Sequence, residues 1–340
     1  MIPLLGLVLI SFVITSSLLV PFIDLLFHLR RKKHEMALKE GGRTENLETP
    51  IHNELLKGKD LETPVGGGIL LILVVVFLSL AYGIIFKIRD PQELGILLFT
   101  IVTFGLIGFI DDSKKMFIIF SGKYQGIKAR YLLILQLIFA TLVSYMLYSL
   151  VGLNNIYLPV WGNIVLGFWY IPLAIFAIVS FSNAYNISDG LDGLSSGLLL
   201  ICLFAFLVLA HSVFDLTLSI FVGIWIGGLI AYLYFNVFPA RIYLGDAGAF
   251  GFGATLAVVG LLTGKIIGLG IIGGMYIIIV GSSLLQMFYK KFLHKKLLPV
   301  APIHMYFKYI GWEEPKIVMR FWLAGSIFAI FGLWLALLSH

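Results

Sequence analysis

The residues of this sequence with the clearest chemical potential are acidic and amide side chains at the ends of apolar runs. Asp111 and Asp112 are adjacent, and Lys115 follows Asp111 by four residues. On a helix, Asp111 and Lys115 would share one face, whereas two neighbouring carboxylates repel each other unless a cation or a proton lies between them. The motif fits either a charged cluster that holds a cation or a plain solvated helix end.

A second polar motif occupies residues 183–194. Its polar residues recur at every third position: Asn183, Asn186, Asp189 and Asp192. If the segment is helical or 3₁₀-like, they form one polar ridge, and Gly190 and Gly193 let another group approach the backbone. Two amides and two carboxylates suit hydrogen bonds to a sugar, a base edge or a hydrated magnesium ion. An Asx-rich turn is the alternative, but a plain turn needs no three-residue repeat, so we expect a binding site.

A third motif, residues 234–248, places Asp246 between Gly245 and Gly248, just before an apolar run. Asp246 could cap the helix that follows, bind a metal, or do both, and a helix N-terminus also favours phosphate binding. Tyr243 offers an aromatic face, although an interfacial anchor is the commoner role for such a residue in a membrane protein.

The fourth motif, residues 295–315, is a loop with several lysines and one histidine, His304. By itself the histidine fits an ordinary hydrogen-bonded loop residue, and the lysines fit attraction to anionic lipid headgroups. Carboxylates in a basic surround, without cysteines and with few histidines, indicate hard-cation chemistry on phosphates, for which magnesium fits better than zinc. The one cysteine, Cys202, allows no disulfide and no cysteine metal site.

The elements that must position these motifs are apolar helices. Of the 340 residues, 60% are hydrophobic and 12% are charged, against about 25% charged in typical globular chains, so a water-soluble fold is excluded. Runs of about 20 apolar residues span a bilayer, and ten are found: 2–28, 66–86, 94–110, 131–151, 164–182, 194–211, 217–235, 248–264, 266–288 and 317–338. We predict an all-α polytopic integral membrane protein with about ten transmembrane helices, in one domain of residues 1–340. The division between the spans 248–264 and 266–288, beside Lys265, is the weakest of these assignments because the joining segment is so short.

The charged residues predict the orientation. The odd-numbered loops between spans hold 21 of the 24 basic residues and 14 of the 18 acidic ones. Short cytoplasmic loops collect Lys and Arg, so both termini are expected to be extracytoplasmic. Ionisable groups at membrane helix ends are functional candidates by default, and the active site is therefore expected at the cytoplasmic face.

Five blocks of sequence, in this order and spacing, resemble the phospho-N-acetylmuramoyl-pentapeptide transferase family, within the polyprenyl-phosphate N-acetylhexosamine-1-phosphate transferases. The blocks are residues 63–68, Asp111 and Asp112 with Lys115, residues 183–194, residues 235–248, and residues 302–304 through Gly311 and Trp312 to residues 320–322. The resemblance covers essentially the whole chain. The family's ten helices, with both termini outside, agree with the count made from the charges.

The resemblance implies a magnesium-dependent reaction in the bacterial plasma membrane. Phospho-N-acetylmuramoyl-pentapeptide would pass from its UDP carrier to undecaprenyl phosphate, giving lipid I and UMP. Those two substrates and membrane lipid are the expected partners; no nucleic acid is expected, and a homodimer stays open. Asp246 resembles the metal ligand, and the implied catalytic residues are Asp111, Asp112, Lys115 and His304. The implied substrate-binding residues are Asn183, Asn186, Asp189, Gly190, Leu191, Asp192, Asn236, Tyr243, Lys128 and Arg130.

Three positions depart from the family's pattern. His304 is followed by Met305 and Tyr306 where the family usually has two more histidines, so roles of those histidines do not transfer. Tyr243 stands where Phe is usual. Leu132 occupies the usual second basic position; Lys128 lies one helical turn earlier, and Arg130 matches.

Other functions remain as alternatives. The nearest is a polyprenyl-phosphate N-acetylglucosamine-1-phosphate transferase. A transporter of phosphorylated solutes is more remote, because it predicts internal repeats and charges near mid-membrane. For the transferase, Asp111 or Asp112 would either deprotonate the lipid phosphate or attack the donor covalently; a phosphate monoester is largely ionised near neutral pH, which favours direct displacement.

Overall fold

The computed structural model describes residues 2–39, 63–86, 88, 90–118, 126–158, 161–213 and 215–338. Their helices are α1 (Ile2–Lys39), α2 (Gly67–Phe86), α3 (Pro91–Ile118), α4 (Ala129–Ser149), α5 (Tyr170–Ser188), α6 (Leu194–Ser212), α7 (Leu216–Asn236), α8 (Gly245–Leu262), α9 (Ile266–Ile272), α10 (Gly274–Phe292), α11 (Ile303–Tyr309) and α12 (Glu314–Leu337). Strands β1 (Asn155–Leu158) and β2 (Gly162–Val165) and a 3₁₀ turn, Gly167–Trp169, lie between α4 and α5. Six basic residues used in the loop count lie outside the described residues: Arg43, Lys57, Lys59, Lys87, Arg89 and Lys123.

Nine helices of the described part are long and apolar enough to cross a bilayer, and a bent pair of helices supplies a tenth candidate. The nine are α1 to α8 and α12, while α9 and α10 pass the same test together. A membrane-spanning chain must satisfy its backbone hydrogen bonds internally, which a helix does. Nine of the ten predicted spans are confirmed, and the bent pair corresponds to the tenth, residues 266–288; the protein is a multi-pass membrane protein.

A turn confirms the predicted division between the spans 248–264 and 266–288. Helix α8 ends at Leu262 and α9 begins at Ile266. Gly264, between them, has φ +69°, a left-handed conformation that suits glycine and commonly ends helices. The second break in this region was not predicted: α9 and α10 meet at an angle of 72°.

The third span is longer than its apolar run. The sequence predicts a span over residues 94–110, whereas α3 continues to Ile118. Asp111 and Lys115 therefore lie one turn apart on a helix, and their ion pair, 2.8 Å between Lys115 Nζ and Asp111 Oδ2, confirms that they share a face.

A β-hairpin is a small departure from the all-α prediction. Strands β1 and β2 pair antiparallel, with Asn155 opposite Val165 and Leu158 opposite Gly162. Gly162 has φ +77°, which favours a tight turn at this point. Two strands of four residues each are too short for their alternation to stand out between two long apolar runs.

Helix α8 lies at the centre of the bundle and carries Asp246 in its first turn. It packs against α2, α3 and α5, and 83% of its residues are buried. A Cβ atom on Gly248 would lie 2.8 Å from the Cα of Gly68 in α2, and one on Gly251 would lie 3.4 Å from the Cα of Gly105 in α3. Small residues let membrane helices approach this closely, so α2 and α3 pack tightly against the N-terminal half of α8, which carries Asp246.

Candidate active site

Two aspartates from different helices meet at the amino group of Lys115. Lys115 Nζ lies 2.8 Å from Asp111 Oδ2 in α3 and also forms an ion pair with Asp246 in α8. The Asp111 side chain is 4% exposed and that of Asp246 is 19% exposed. The shared ammonium group relieves the repulsion between two nearly buried carboxylates. The structure thus brings together residues that were predicted to form one centre.

Asp112 binds the first turn of α8. Its Oδ2 accepts a hydrogen bond of 3.1 Å from the backbone N–H of Ala247. Gly245 has φ +83°, and a Cβ there would lie 2.8 Å from the same oxygen, so glycine allows the carboxylate to approach. Negative charge is stabilising at a helix N-terminus, and Asp112 holds this end of α8 close to α3.

The helix-cap role considered for Asp246 is not what the structure shows. The N-cap of α8 is Leu244, without a side-chain bond, and Asp246 lies within the first turn. Besides its ion pair with Lys115, Asp246 accepts a 2.9 Å hydrogen bond at Oδ1 from Asn186 Nδ2. The carboxylate points toward α3 and α5 because Lys115 and Asn186 attract it there, away from the N–H groups of its own helix.

The continuous polar ridge considered for residues 183–194 does not form, because α5 ends at Ser188. Asn183 lies on α5 and donates to Gln136 Oε1 of α4 at 2.7 Å. Asp189 follows the helix and accepts a hydrogen bond from the Ser195 hydroxyl. Asp192 accepts at Oδ2 from the backbone N–H of Ala240 at 3.0 Å. The four polar residues thus hold different segments together, and Asn186 is the one described above as bonded to Asp246.

The turn of residues 189–193, here called the α5–α6 turn, contacts the end of α7 and the start of α11. Leu191 is buried, with 3% of its surface exposed. Gly193 donates its backbone N–H to Asn236 Oδ1 at 3.2 Å, and Asn236 Nδ2 donates to the Ile242 carbonyl at 3.0 Å. A Cβ on Gly190 would lie 2.8 Å from His304 Nε2. His304, Asn236 and the α5–α6 turn are therefore neighbours, as their predicted common function requires.

The segment of residues 63–68 holds Tyr243 by its backbone. Tyr243 donates its N–H to the Pro64 carbonyl at 2.9 Å and accepts from the N–H groups of Gly66 and Gly67 at 3.0 and 2.9 Å. The next carbonyl, of Leu244, accepts from Gly68 at 2.9 Å. The first block of the resemblance, residues 63–68, thus fixes the backbone that leads to Asp246.

Lys128 and Arg130 follow Ile127 along the chain, and both are exposed. Ile127, next to Lys128, donates its backbone N–H to Asp111 Oδ1 at 2.6 Å. The Arg130 guanidinium lies 4.7 Å from the centroid of the Tyr131 ring and donates to its hydroxyl at 3.0 Å.

The region after His304 departs from the family pattern in a buried position. Met305 is 3% exposed and packs in the core, whereas Tyr306 is half-buried with its ring 6.0 Å from that of Phe307. An apolar side chain at position 305 gains from this burial.

One residue that sequence reasoning missed is Glu314. It is buried, with 5% of its surface exposed, and it accepts a hydrogen bond at Oε1 from the backbone N–H of Asp192 at 2.8 Å. Lys308 pairs with its other oxygen at 2.7 Å. The only signal in the sequence was an acidic residue beside Pro315 at the start of the last span, which is typical of any helix N-terminus.

Oxygen donors dominate the pocket, which limits the metals it could hold. In the described part of the chain, no three His, Cys, Asp or Glu residues are grouped as metal ligands. Asp246 and Asn186 could supply a carboxylate and an amide oxygen to a hard cation that keeps several waters, as magnesium does. Together with Lys115, such an ion would place positive charge where phosphate oxygens could bind.

Comparison with known proteins points to one family. The family model described as glycosyl transferase family 4 matches residues 94–264. A relative from Geobacillus sp. (strain WCH70) is 34% identical over 333 residues, 96% of each chain. One from Pelagibacter ubique (strain HTCC1062) is 35% identical over 298 residues, 81% of this chain and 80% of its own. One from Bacillus subtilis (strain 168) is 32% identical over 325 residues, which cover 95% of this chain and 94% of its own.

All three relatives bear the name phospho-N-acetylmuramoyl-pentapeptide-transferase. The matched range of the family model runs from α3 to α8 and contains Asp111, Asp246 and the α5–α6 turn. The likeness therefore includes the residues that form the pocket as well as the apolar helices around them, and the chain belongs to the phospho-N-acetylmuramoyl-pentapeptide-transferase family of glycosyl-1-phosphate transferases.

Proposed function

We propose that this protein transfers phospho-N-acetylmuramoyl-pentapeptide from its UDP carrier to undecaprenyl phosphate, which gives lipid I and UMP. The observation that carries the proposal is the meeting of Asp111, Asp112 and Asp246 beside Lys115. Relatives named for this activity cover nearly the whole chain. A nucleotide-linked donor and a lipid-linked acceptor also account for a polar pocket at one end of an apolar bundle.

We place the pocket at the cytoplasmic face of a bacterial plasma membrane, with both termini on the other side. The contacts of the pocket join segments from or beside all five odd-numbered loops: 63–68, 111–115 with 126 and 127, 183–193, 236–248 and 304–314. Those loops hold 21 of the 24 basic residues, and short cytoplasmic loops collect such residues. A water-soluble UDP-linked donor would approach from this face.

We propose Asp246 as the ligand of a magnesium ion. The pocket offers oxygen donors, which magnesium prefers, and its shortage of further protein ligands suits an ion usually held by one or two carboxylates plus substrate phosphates. Magnesium, when bound, neutralises charge on the donor's diphosphate and on the departing UMP. Asn186 orients the Asp246 carboxylate through its 2.9 Å hydrogen bond.

The side chains of the pocket suit phosphoryl transfer because that reaction depends mainly on positioning and charge stabilisation. An oxygen of undecaprenyl phosphate attacks the sugar-bound phosphorus of the donor. The bond from that phosphorus to the bridging oxygen breaks, and UMP leaves with the oxygen and the electron pair. Lys115 offers a fixed positive charge to the phosphate oxygens, while Asp111 and Asp112 hold Lys115 and the start of α8 in place.

A direct displacement predicts that no covalent intermediate accumulates. The acceptor is a phosphate monoester with a second pKa of about 6, so it is largely ionised near neutral pH and needs no enzyme nucleophile. We expect intact-protein mass spectrometry to detect no phospho-sugar adduct when the enzyme is quenched after incubation with donor and magnesium but without acceptor. An adduct on Asp111 or Asp112, lost in the corresponding asparagine variant, would establish the two-step route.

The test of the function is UMP release by the purified protein in detergent with undecaprenyl phosphate. We expect release with UDP-N-acetylmuramoyl-pentapeptide, loss of release with a chelator, and recovery when magnesium is added back. UDP-N-acetylglucosamine is the control donor and is expected to give no release. Preference for that donor would identify the neighbouring transferase activity instead, and solute flux across vesicles without UMP production would identify a transporter.

A further inference from the structure

We propose that Glu314 is a positioning residue for the α5–α6 turn, and that it sets the affinity for the nucleotide donor. The inference rests on the proposed function and on the family resemblance, which implies that residues 189–192 of this turn bind substrate; we take that substrate to be the nucleotide donor. Glu314 begins α12, the last span; it lies near the end of the fourth motif, but neither its spacing nor the family resemblance gave it a role. Its carboxylate reaches the turn by accepting a hydrogen bond from the backbone N–H of Asp192.

Both oxygens of the Glu314 carboxylate are engaged. Oε1 accepts from the backbone N–H of Asp192 at 2.8 Å, and Oε2 lies 2.7 Å from Lys308 Nζ. The Glu314 side chain is 4% exposed and that of Lys308 is 18% exposed. A buried charge that is paired and hydrogen-bonded in this way has few alternative positions, and removing one partner leaves the other charge buried without compensation.

The same turn is also held by the end of α7 and by the loop between α7 and α8. Ala240 donates its N–H to the Asp192 carboxylate at 3.0 Å, and Gly193 donates to Asn236 at 3.2 Å. The backbone of Asp192 therefore depends on Glu314, while its side chain depends on the α7–α8 loop. Without Glu314, the Asp192 N–H would lose its partner, and residues 190–192 would be free to shift relative to Asp246.

Lys308 extends the link to His304, because both residues lie on α11. His304 meets the turn at Gly190, where a Cβ would lie 2.8 Å from His304 Nε2. The ion pair of Lys308 with Glu314 joins α11 to the first turn of α12. The pair thus fixes two contacts with one turn, the His304 contact at Gly190 and the Glu314 hydrogen bond at Asp192.

The experiment compares Glu314→Ala, Glu314→Gln and the double variant Glu314→Gln/Lys308→Met. Glu313→Ala is the matched control, because Glu313 is the adjacent glutamate and is exposed. For each purified protein we would measure kcat, the KM for UDP-N-acetylmuramoyl-pentapeptide, the KM for undecaprenyl phosphate and the Kd of UMP. Thermal unfolding in detergent reports the folded fraction.

For Glu314→Ala we expect the donor KM and the UMP Kd to rise about tenfold, the size expected for losing a hydrogen bond to a charged group, while the acceptor KM stays unchanged. The double variant keeps an acceptor oxygen for Asp192 and leaves no unpaired buried charge, so it should bind UMP nearly as well as the wild type. The donor KM and the UMP Kd of Glu314→Gln should lie between those of Glu314→Ala and those of the double variant. Glu313→Ala should have the same values as the wild type.

Two results would overturn the inference: an unchanged donor KM in Glu314→Ala, or equal rises in both KM values that follow a loss of folded protein. If Glu314→Ala does not fold, the comparison of Glu314→Gln with the double variant tests the inference. A positioning role predicts that the double variant binds UMP more tightly than Glu314→Gln, and equal UMP binding by the two would overturn it. Absence of UMP release by the wild type would instead refute the proposed function.

Discussion

Replacing Asp246 with alanine is expected to lower kcat for UMP release by about 10³-fold, the upper range for losing one preorganised electrostatic group. The variant removes the carboxylate that Asn186 orients and that pairs with Lys115. It also removes the proposed magnesium ligand. The fold should persist, because Lys115 keeps Asp111 as a partner. The measurement is the initial rate at saturating substrates and magnesium, with thermal unfolding of the same preparation.

The matched control for this variant is Asp24→Ala. Asp24 is an exposed aspartate on α1, so its loss should leave kcat within about twofold, as for surface substitutions away from special features. If Asp246→Ala kept a rate close to the wild type and that rate still required magnesium, the metal would have to bind elsewhere. A rate insensitive to chelators in both proteins would remove magnesium from the mechanism.

The membrane-spanning architecture could be predicted from the sequence because bilayer thickness fixes the length of an apolar helix. The bend between α9 and α10 could not, because it lies inside one uninterrupted apolar run. A Cβ on Gly274 would lie 2.8 Å from the Phe328 ring, so the glycine at this break reflects packing against another helix. Hydropathy carries no information about such a contact.

The contact between side chains of one helix could be predicted from the sequence, whereas the contacts between different helices could not. The spacing of Asp111 and Lys115 indicates a shared helix face by itself. The hydrogen bonds of Asp112 to Ala247 and of Asn186 to Asp246 depend on how closely α8 packs against α3 and α5. Only the family resemblance placed these residues in one site, and it gave no role to Glu314, whose partner Asp192 lies 122 positions earlier.

Replacing Lys115 with methionine is the second change for which a large effect is expected. Methionine keeps an unbranched apolar side chain but removes the ammonium group that Asp111 and Asp246 share. The two carboxylates then face each other without a cation, which disfavours the charged form of both. We expect kcat to fall by about 10²-fold to 10³-fold and the midpoint of thermal unfolding to decrease. The measurements are UMP release and thermal unfolding in detergent.

Lys114→Met is the matched control, because Lys114 is the neighbouring residue and is exposed; it should behave like the wild type. Added magnesium distinguishes the roles of the two cations. If a metal ion binds at Asp246, it can replace part of the missing positive charge, so magnesium should raise the unfolding midpoint of Lys115→Met more than that of Asp246→Ala. Equal responses of the two variants would contradict a metal site at Asp246, and a wild-type rate in Lys115→Met would show that the lysine only tethers α3 to α8.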